Sequence, residues 1–225
     1  MLYAFDSSIK EEIKIGGHGK YRPYIFFKRT LDVIFSLIAI LFFLPFFIAI
    51  ATLLSIHDGW PVIYRHKRIG RNGKAFDCFK FRTMRRDADR VLSDLLRTDA
   101  GARLEWDLQQ KLRNDPRIHP VGRFLRISSL DELPQFFNVL RGDMSIVGPR
   151  PIVEDEIPRY GERIHDYLSM TPGITGLWQV SGRSETSYQY RVDLDSQYRE
   201  TCSLLLDLKI ICRTVTVVLF DHNGC

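Results

Sequence analysis

VIFSLIAILFFLPFFIAIATLLSI, Val33 to Ile56, carries only three polar residues, Ser36, Thr52 and Ser55. At about 1.5 Å of rise per residue a straight helix of this length covers about 36 Å, enough for a hydrocarbon core about 30 Å thick. The run is too long for a signal-peptide core and no small-residue cleavage site follows it, which argues against a targeting peptide. A buried core helix is the plain alternative. Lys20, Arg22, Lys28 and Arg29 precede the run, and Arg65, Lys67, Arg68 and Arg71 follow it, so the positive-inside rule pulls both ends to one side. Pro45 stands at its centre, where it deletes a helix hydrogen bond and favours a kink. Two arms of about twelve residues reach about 18 Å each, roughly half a bilayer. The pattern predicts a re-entrant helix–break–helix that dips in and returns; a kinked single span is its rival.

The rest of the 225 residues suffice for one well-packed domain. A pI near 9.1 and a net charge of +5 suit nucleic acid, anionic lipid or phosphorylated substrates. Cys78, Cys202, Cys212 and Cys225 form no CxxC pair, which argues for reduced thiols and against a secreted disulfide scaffold. The six histidines are scattered and give zinc little support. Pro61–Tyr64 and Lys74–Phe81 are rich in strand formers and flank Asn72-Gly73, a hairpin turn signal. From Asp87 to Leu112 apolar residues recur at helical spacing, and Asp115-Pro116 marks a loop. Arg141-Gly-Asp143, Gly148-Pro-Arg-Pro151 and Thr171-Pro-Gly173 read as turns. Leu204–Phe220 is apolar but interrupted by Asp207, Lys209 and Arg213, and fits either a helix lying on a membrane or a packed terminal helix.

SLDELPQFFNVLRGDMSIVGPRP, Ser129 to Pro151, sets Asp131 and Glu132 side by side at a helix entrance. Ser129-x-x-Glu132 matches a capping box, which would put both acids in the first turn, where backbone N–H groups favour carboxylates. Pro134 delays or bends that helix. Lys80, Arg82, Arg123, Arg126 and Arg150 supply cations nearby in the sequence pattern. A carboxylate attacks phosphorus only where the substrate's negative charge is offset, and guanidinium groups with Mg²⁺ do that. Surface salt bridges are the plain alternative for any one of these pairs.

Taken together, KRTLDV (Lys28–Val33), the Pro-centred hydrophobic run, RIGRNGKAFDCFKFRTM, DPRIHPVGRFLRISSLDELPQFFNVLRGDMSIVGPRP and PGITGLWQVSGR (Pro172–Arg183) resemble the bacterial sugar transferase family. These are the monotopic polyprenyl-phosphate hexose-1-phosphate transferases that prime exopolysaccharide assembly. The resemblance implies that Asp131 is a nucleophile on the β-phosphorus of a UDP-sugar, galactose or glucose, and expels UMP. The sugar phosphate then passes to undecaprenyl phosphate. It implies that Glu132, with Asp131, holds Mg²⁺, and that Arg126 and Arg150 contact phosphate and nucleotide. Lys80 and Arg82 would line the same site. Trp178, Gln179 and Arg183 read either as pocket or, for the tryptophan, as packing. Relatives often carry Ser before the breaking proline, where this chain has Leu44.

The expected architecture is α-rich α+β: a small membrane-associated catalytic domain with an N-terminal Pro-broken re-entrant membrane helix and surface amphipathic helices. Residues 1–27 form a tail, 28–58 the membrane helix, and 59–225 a cytoplasmic catalytic domain with an amphipathic C-terminal helix. The expected location is the cytoplasmic face of a bacterial inner membrane. Expected partners are a UDP-sugar, a polyprenyl phosphate, the lipid bilayer and downstream glycosyltransferases, with no nucleic acid. Two rivals stay open. Asp87-x-Asp89 or Asp193-x-Asp195 would serve a DxD glycosyltransferase releasing UDP, and the basic run Tyr64–Arg71 would serve a membrane-tethered binding protein.

Overall fold

The computed structural model describes residues 21–109, 112–181 and 187–220; most of the expected N-terminal tail, and Arg183, lie outside them. Helix α1 runs unbroken from Tyr21 to Asp58 with Pro45 inside it, so the chain does not divide into two helices at the proline. Its large apolar side chains, Phe26, Leu31, Ile38, Leu41, Phe42 and Ile48 among them, are mostly exposed. A second stripe at spacings of three and four meets the body: Arg29, Asp32, Ser36, Ala39, Phe43, Phe47, Ile50 and Leu54. Arg29 donates to the carbonyls of Val139 and Leu140 at 2.6 and 3.0 Å, and Asp32 Oδ1 accepts from Ile146 N–H at 2.9 Å. Lys28 meets Asp207 at 2.7 Å. Ile50 and Leu54 close a core cluster with Val62, Phe81, Leu125 and Leu133. Both halves of α1 therefore pack on the same folded body.

The hairpin expected around Asn72-Gly73 forms. Strand β1 (Ile63–Ile69) pairs antiparallel with β2 (Ala75–Phe81), from Ile63 opposite Phe81 to Ile69 opposite Ala75. The turn needs positive φ at two successive residues, 57° at Asn72 and 72° at Gly73, which asparagine and glycine accept at least cost. Helices α2 (Ala88–Thr98) and α3 (Ala100–Gln109) follow, divided at Asp99, whose carboxylate caps α3 by accepting from Ala102 N–H at 2.9 Å. Buried Arg117 pairs with Asp115 at 2.6 Å and covers Trp106, which ties this pair of helices to the body.

Helix α4 (Pro120–Ile127) leads to a single 3₁₀ turn, Leu130–Glu132, and then to α5 (Gln135–Arg141). Buried Asn138 staples α5 to β2: its Oδ1 accepts from Phe79 N–H at 2.9 Å and its Nδ2 donates to Asp77 O at 2.6 Å. Strands β3 (Ser145–Val147) and β4 (Gly173–Thr175) pair in parallel. Here the backbones come so close that a Cβ on Gly173 would sit 2.1 Å from Gly148 N, which is why both turns carry glycine. Short helices α6 (Ile157–Tyr160), α7 (Ile164–Ser169) and α8 (Leu177–Ser181) precede α9 (Tyr188–Thr201) and α10 (Leu204–Phe220). Helix α10 packs on the body along one side and leaves apolar side chains on the other. Asp207 and Ile210 are buried in the body, whereas Leu205, Leu208 and Val215 are exposed.

Candidate active site

The two acids arrive by a different local route from the one expected. Ser129 makes no capping bond; it sits in the left-handed region at φ 55°, where a serine is strained, and ends α4 by donating its N–H to Arg126 O. Asp131 and Glu132 therefore stand in the 3₁₀ turn, and Pro134 caps the following helix without needing an N–H. Leu130 and Leu133 on either side are held in the cluster around Ile50 and Leu54 of α1, which fixes the acidic turn against the apolar helix.

Lys80 stands over both acids. Its Nζ donates to Glu132 Oε1 at 2.5 Å and lies 4.0 Å from Asp131 Oδ2. Asp131 is buried, and burial pushes its carboxyl up to about 6, against the pull of Lys80 and with the push of the neighbouring Glu132. Glu132 goes the other way: burial opposes ionisation, but Lys80, then Arg150 and Arg68, hold its carboxyl below the usual range. Two adjacent carboxyls with divergent acidity, one lying beside several cations, make an arrangement suited to nucleophilic chemistry on an anion.

A narrow cleft opens beside Glu132, lined by Arg68, Cys78, Lys80, Glu132, Gln135, Arg150, Pro151, Gly173, Ile174 and Gln179, and Asp131 neighbours it through Lys80. Its cations are dense enough to affect a neighbour: His66, in contact with Arg68 at 3.1 Å, is driven down to about 4 by burial, then by Arg68, Lys80 and Arg150. Gln179 donates to Ile174 O at 3.0 Å, while its buried Oε1 has no partner among the described residues. Trp178 nearby carries Arg150 and Arg191 within 5.8 and 5.1 Å of its ring centre, so this indole orients guanidinium groups.

Of the residues expected at the site, Lys80, Asp131, Glu132, Arg150 and Gln179 come together. Arg126 stands at the edge, donating to Thr83 Oγ1 at 2.9 Å and helping to restrain the rise of the Asp131 carboxyl. Arg82 does not join them. Strand alternation would put it on the same face as Lys80, but β2 ends at Phe81, and the freed side chain caps α1 instead. It donates to the carbonyls of Asp58 and Gly59 at 3.0 and 2.6 Å, also to Pro61 O, and pairs with the Asp58 carboxylate at 3.0 Å. Cation and helix C-terminus suit each other there. Arg183 lies outside the described residues. Arg68 and Gln135 are additions. Hairpin alternation held the clue to Arg68: His66 faces Cys78 and Tyr64 faces Lys80, so 64, 66 and 68 share the face of 76, 78 and 80. Arg65 and Lys67 turn to the opposite face, where Lys67 pairs with Asp77 at 2.8 Å.

Mg²⁺ takes oxygen ligands, few of them from protein and the rest from phosphate and water. Asp131 and Glu132 offer such oxygens on consecutive residues, and among the described residues no cluster of three or more histidine, cysteine, aspartate or glutamate side chains competes for the ion. The donor set fits Mg²⁺ in company with a phosphorylated substrate. None of the DxD acids lines the cleft: Asp193 pairs with Arg163 at 2.6 Å, Asp195 accepts from the Tyr160 hydroxyl at 2.8 Å, and Asp87 lies 3.4 Å from Arg85.

A sequence profile of bacterial sugar transferases matches residues 23–221. An uncharacterized sugar transferase of Haemophilus influenzae is 53% identical over 192 residues, covering 85% of this chain and 41% of the relative. The undecaprenyl-phosphate galactose phosphotransferase of Salmonella typhimurium is 50% identical over 194 residues, covering 86% of this chain and 40% of the relative. The exopolysaccharide production protein ExoY of Rhizobium meliloti is 49% identical over 197 residues, covering 88% of this chain and 87% of the relative. The chain thus spans about two fifths of the first two proteins and most of the third.

Proposed function

The chain belongs to the bacterial sugar transferase family, and from that premise we propose that it transfers hexose-1-phosphate, galactose or glucose, from a UDP-sugar to undecaprenyl phosphate. One observation carries the chemistry: the buried carboxyl of Asp131 lies 4.0 Å from Lys80, which with Glu132 lines a cation-rich cleft, and the turn that bears it packs against the membrane helix. A carboxylate oxygen of Asp131 bonds to the β-phosphorus of the donor, and the bond from that phosphorus to the oxygen bridging to the α-phosphate breaks, releasing UMP. An oxygen of the polyprenyl phosphate then attacks the same phosphorus, frees the Asp131 carboxylate and leaves a polyprenyl diphosphate sugar. Lys80 offsets charge between the two acids, and Arg68 and Arg150 receive the donor's phosphates. Asp131 and Glu132 would hold Mg²⁺ together with the substrate, and the ion would supply further charge compensation.

The same reading places the protein on the cytoplasmic face of the membrane, where UDP-sugar and a lipid-embedded acceptor meet. Lys28, Arg29 and Asp32 near one end of α1 and Ile50 and Leu54 near the other all contact one body, which favours a segment seated from one face over a full span, while α1 runs through Pro45 as one helix. Two further apolar surfaces support interfacial seating: Leu205, Leu208 and Val215 on α10, and the shallow groove of about 390 Å³ formed by Ile118, Pro120, Phe124 and Ile127 around α4, with Arg123 among its walls.

The test is incubation with UDP-hexoses, Mg²⁺ and polyprenyl phosphate, with identification of the nucleotide. UMP, together with a radiolabelled sugar phosphate trapped on Asp131, is the expected result; UDP would replace the reading by simple sugar transfer. A tag before Lys20, probed from both faces of sealed vesicles, tests the topology, and labelling only from outside sinks the one-face seating.

A further inference from the structure

Glu156 stands outside the cleft, at the end of the turn Glu154–Glu156, yet it touches two sides of it. Its Oε2 accepts from Val153 N–H at 2.9 Å and lies 3.8 Å from Arg68 Nη1. Its Oε1 accepts from Arg191 Nη1 at 3.1 Å. Arg191 is buried, covers the rings of Trp178 and Tyr188 at 5.1 and 5.2 Å, and donates to the backbone carbonyl of Arg150 at 3.3 Å. The Arg150 guanidinium itself rests over Trp178, and Arg68 also donates to Pro151 O at 3.2 Å. One carboxylate thus ties strand β1, helix α9 and the Gly148–Pro151 turn, three segments far apart in the chain.

We propose that Glu156 is a positioning residue for the donor: it holds Arg68 directly, and Arg150 through Arg191 and Trp178, in the arrangement that receives the diphosphate of a UDP-sugar. This rests on the UDP-sugar reading above. The physical need is clear. Three neighbouring guanidinium groups repel one another, and each long side chain has many rotamers to give up when an anion binds. A fixed carboxylate behind them removes both costs before the ligand arrives, without touching it. Because Glu156 makes no contact with the acidic turn, its influence belongs to donor binding and leaves the chemical step alone.

Glu156→Gln keeps the shape and removes the charge. Titration of the full chain in detergent with UDP and Mg²⁺ is expected to show about tenfold weaker binding, as for loss of one charged partner. Steady-state assays are expected to show a matching rise in the donor KM, with kcat within twofold and the acceptor KM unchanged. In an Arg68→Ala background the combined loss falls short of the product of the two single losses, because one of the groups that Glu156 positions is already gone. Unchanged UDP affinity, a fall in kcat at constant KM, or losses that multiply fully each overturn the proposal. Should Glu156→Gln fail to fold, Arg191→Lys carries the test: it keeps the charge and loses the flat contact with the two rings, and UDP affinity equal to wild type overturns the role. A wild-type chain that does not bind UDP overturns the UDP-sugar reading itself, whereas a binding wild type beside an unaffected variant overturns only the positioning role.

Discussion

Along the seam between α1 and the body, charge is matched atom by atom: Lys28 with Asp207, Arg29 with two carbonyls, Asp32 with a backbone N–H. In the cleft, Arg68, Lys80 and Arg150 confront Glu132, with the hard-to-ionise Asp131 4.0 Å from Lys80, and the positive side is left in excess. The same residue types serve both regions. Where every charge has an internal partner, removing one exposes a desolvated group and costs stability. Where cations outnumber acids, the missing partner is a ligand, and the cost of bringing the cations together is recovered when an anion binds.

That contrast can be broken most severely at Asp131. Asp131→Asn keeps the shape of the turn and removes the nucleophile, so turnover should fall by on the order of 10⁴ or more with the melting temperature little changed; retention of near wild-type UMP release would end the assignment. Lys80→Met should reduce kcat/KM by about 10²–10³, as for loss of a preorganised charge. It should also move the pH profile. An acid whose carboxyl titrates near 6 is protonated below that pH, so wild-type kcat/KM should fall about tenfold per unit below pH 6. Lys80 restrains the rise, so its removal should carry the acid limb to higher pH; a limb that stays in place would show that another group titrates.

The seam should respond in the opposite currency of stability without chemistry. Asp207→Ala leaves Lys28 without its carboxylate and Tyr198 without the acceptor it holds at 2.6 Å, and should cost about 3 kcal/mol in denaturant unfolding while the donor KM stays within twofold. A large change in donor KM would mean that seam and cleft are not separable. Asn138→Ala sits between the two regions. It strands the Phe79 N–H and should cost about 1–3 kcal/mol, with a smaller loss of kcat/KM through a less firmly held Lys80 one residue on.

The sequence displayed the hydrophobic helix, the Asn-Gly hairpin, the acidic pair and the basic charge balance, because each depends on neighbours along the chain: periodicity, turn chemistry and composition. The inward stripe of α1 from Arg29 to Leu54 was also written at helical spacing, hidden because its second half, from Ala39 to Leu54, is as apolar as the outward side. Three decisions belonged to the tertiary structure. A strand ending at Phe81 sent Arg82 to the helix end and left Lys80 with the acids. Pairing across the hairpin put Arg68 into the cleft and Arg65 out of it, since one residue of register reverses a side chain's face. A left-handed Ser129 replaced the capping box with a short turn. Local signals name the residues of such a site, but packing between distant segments fixes where each element stops, and the stopping point decides which way a charge points.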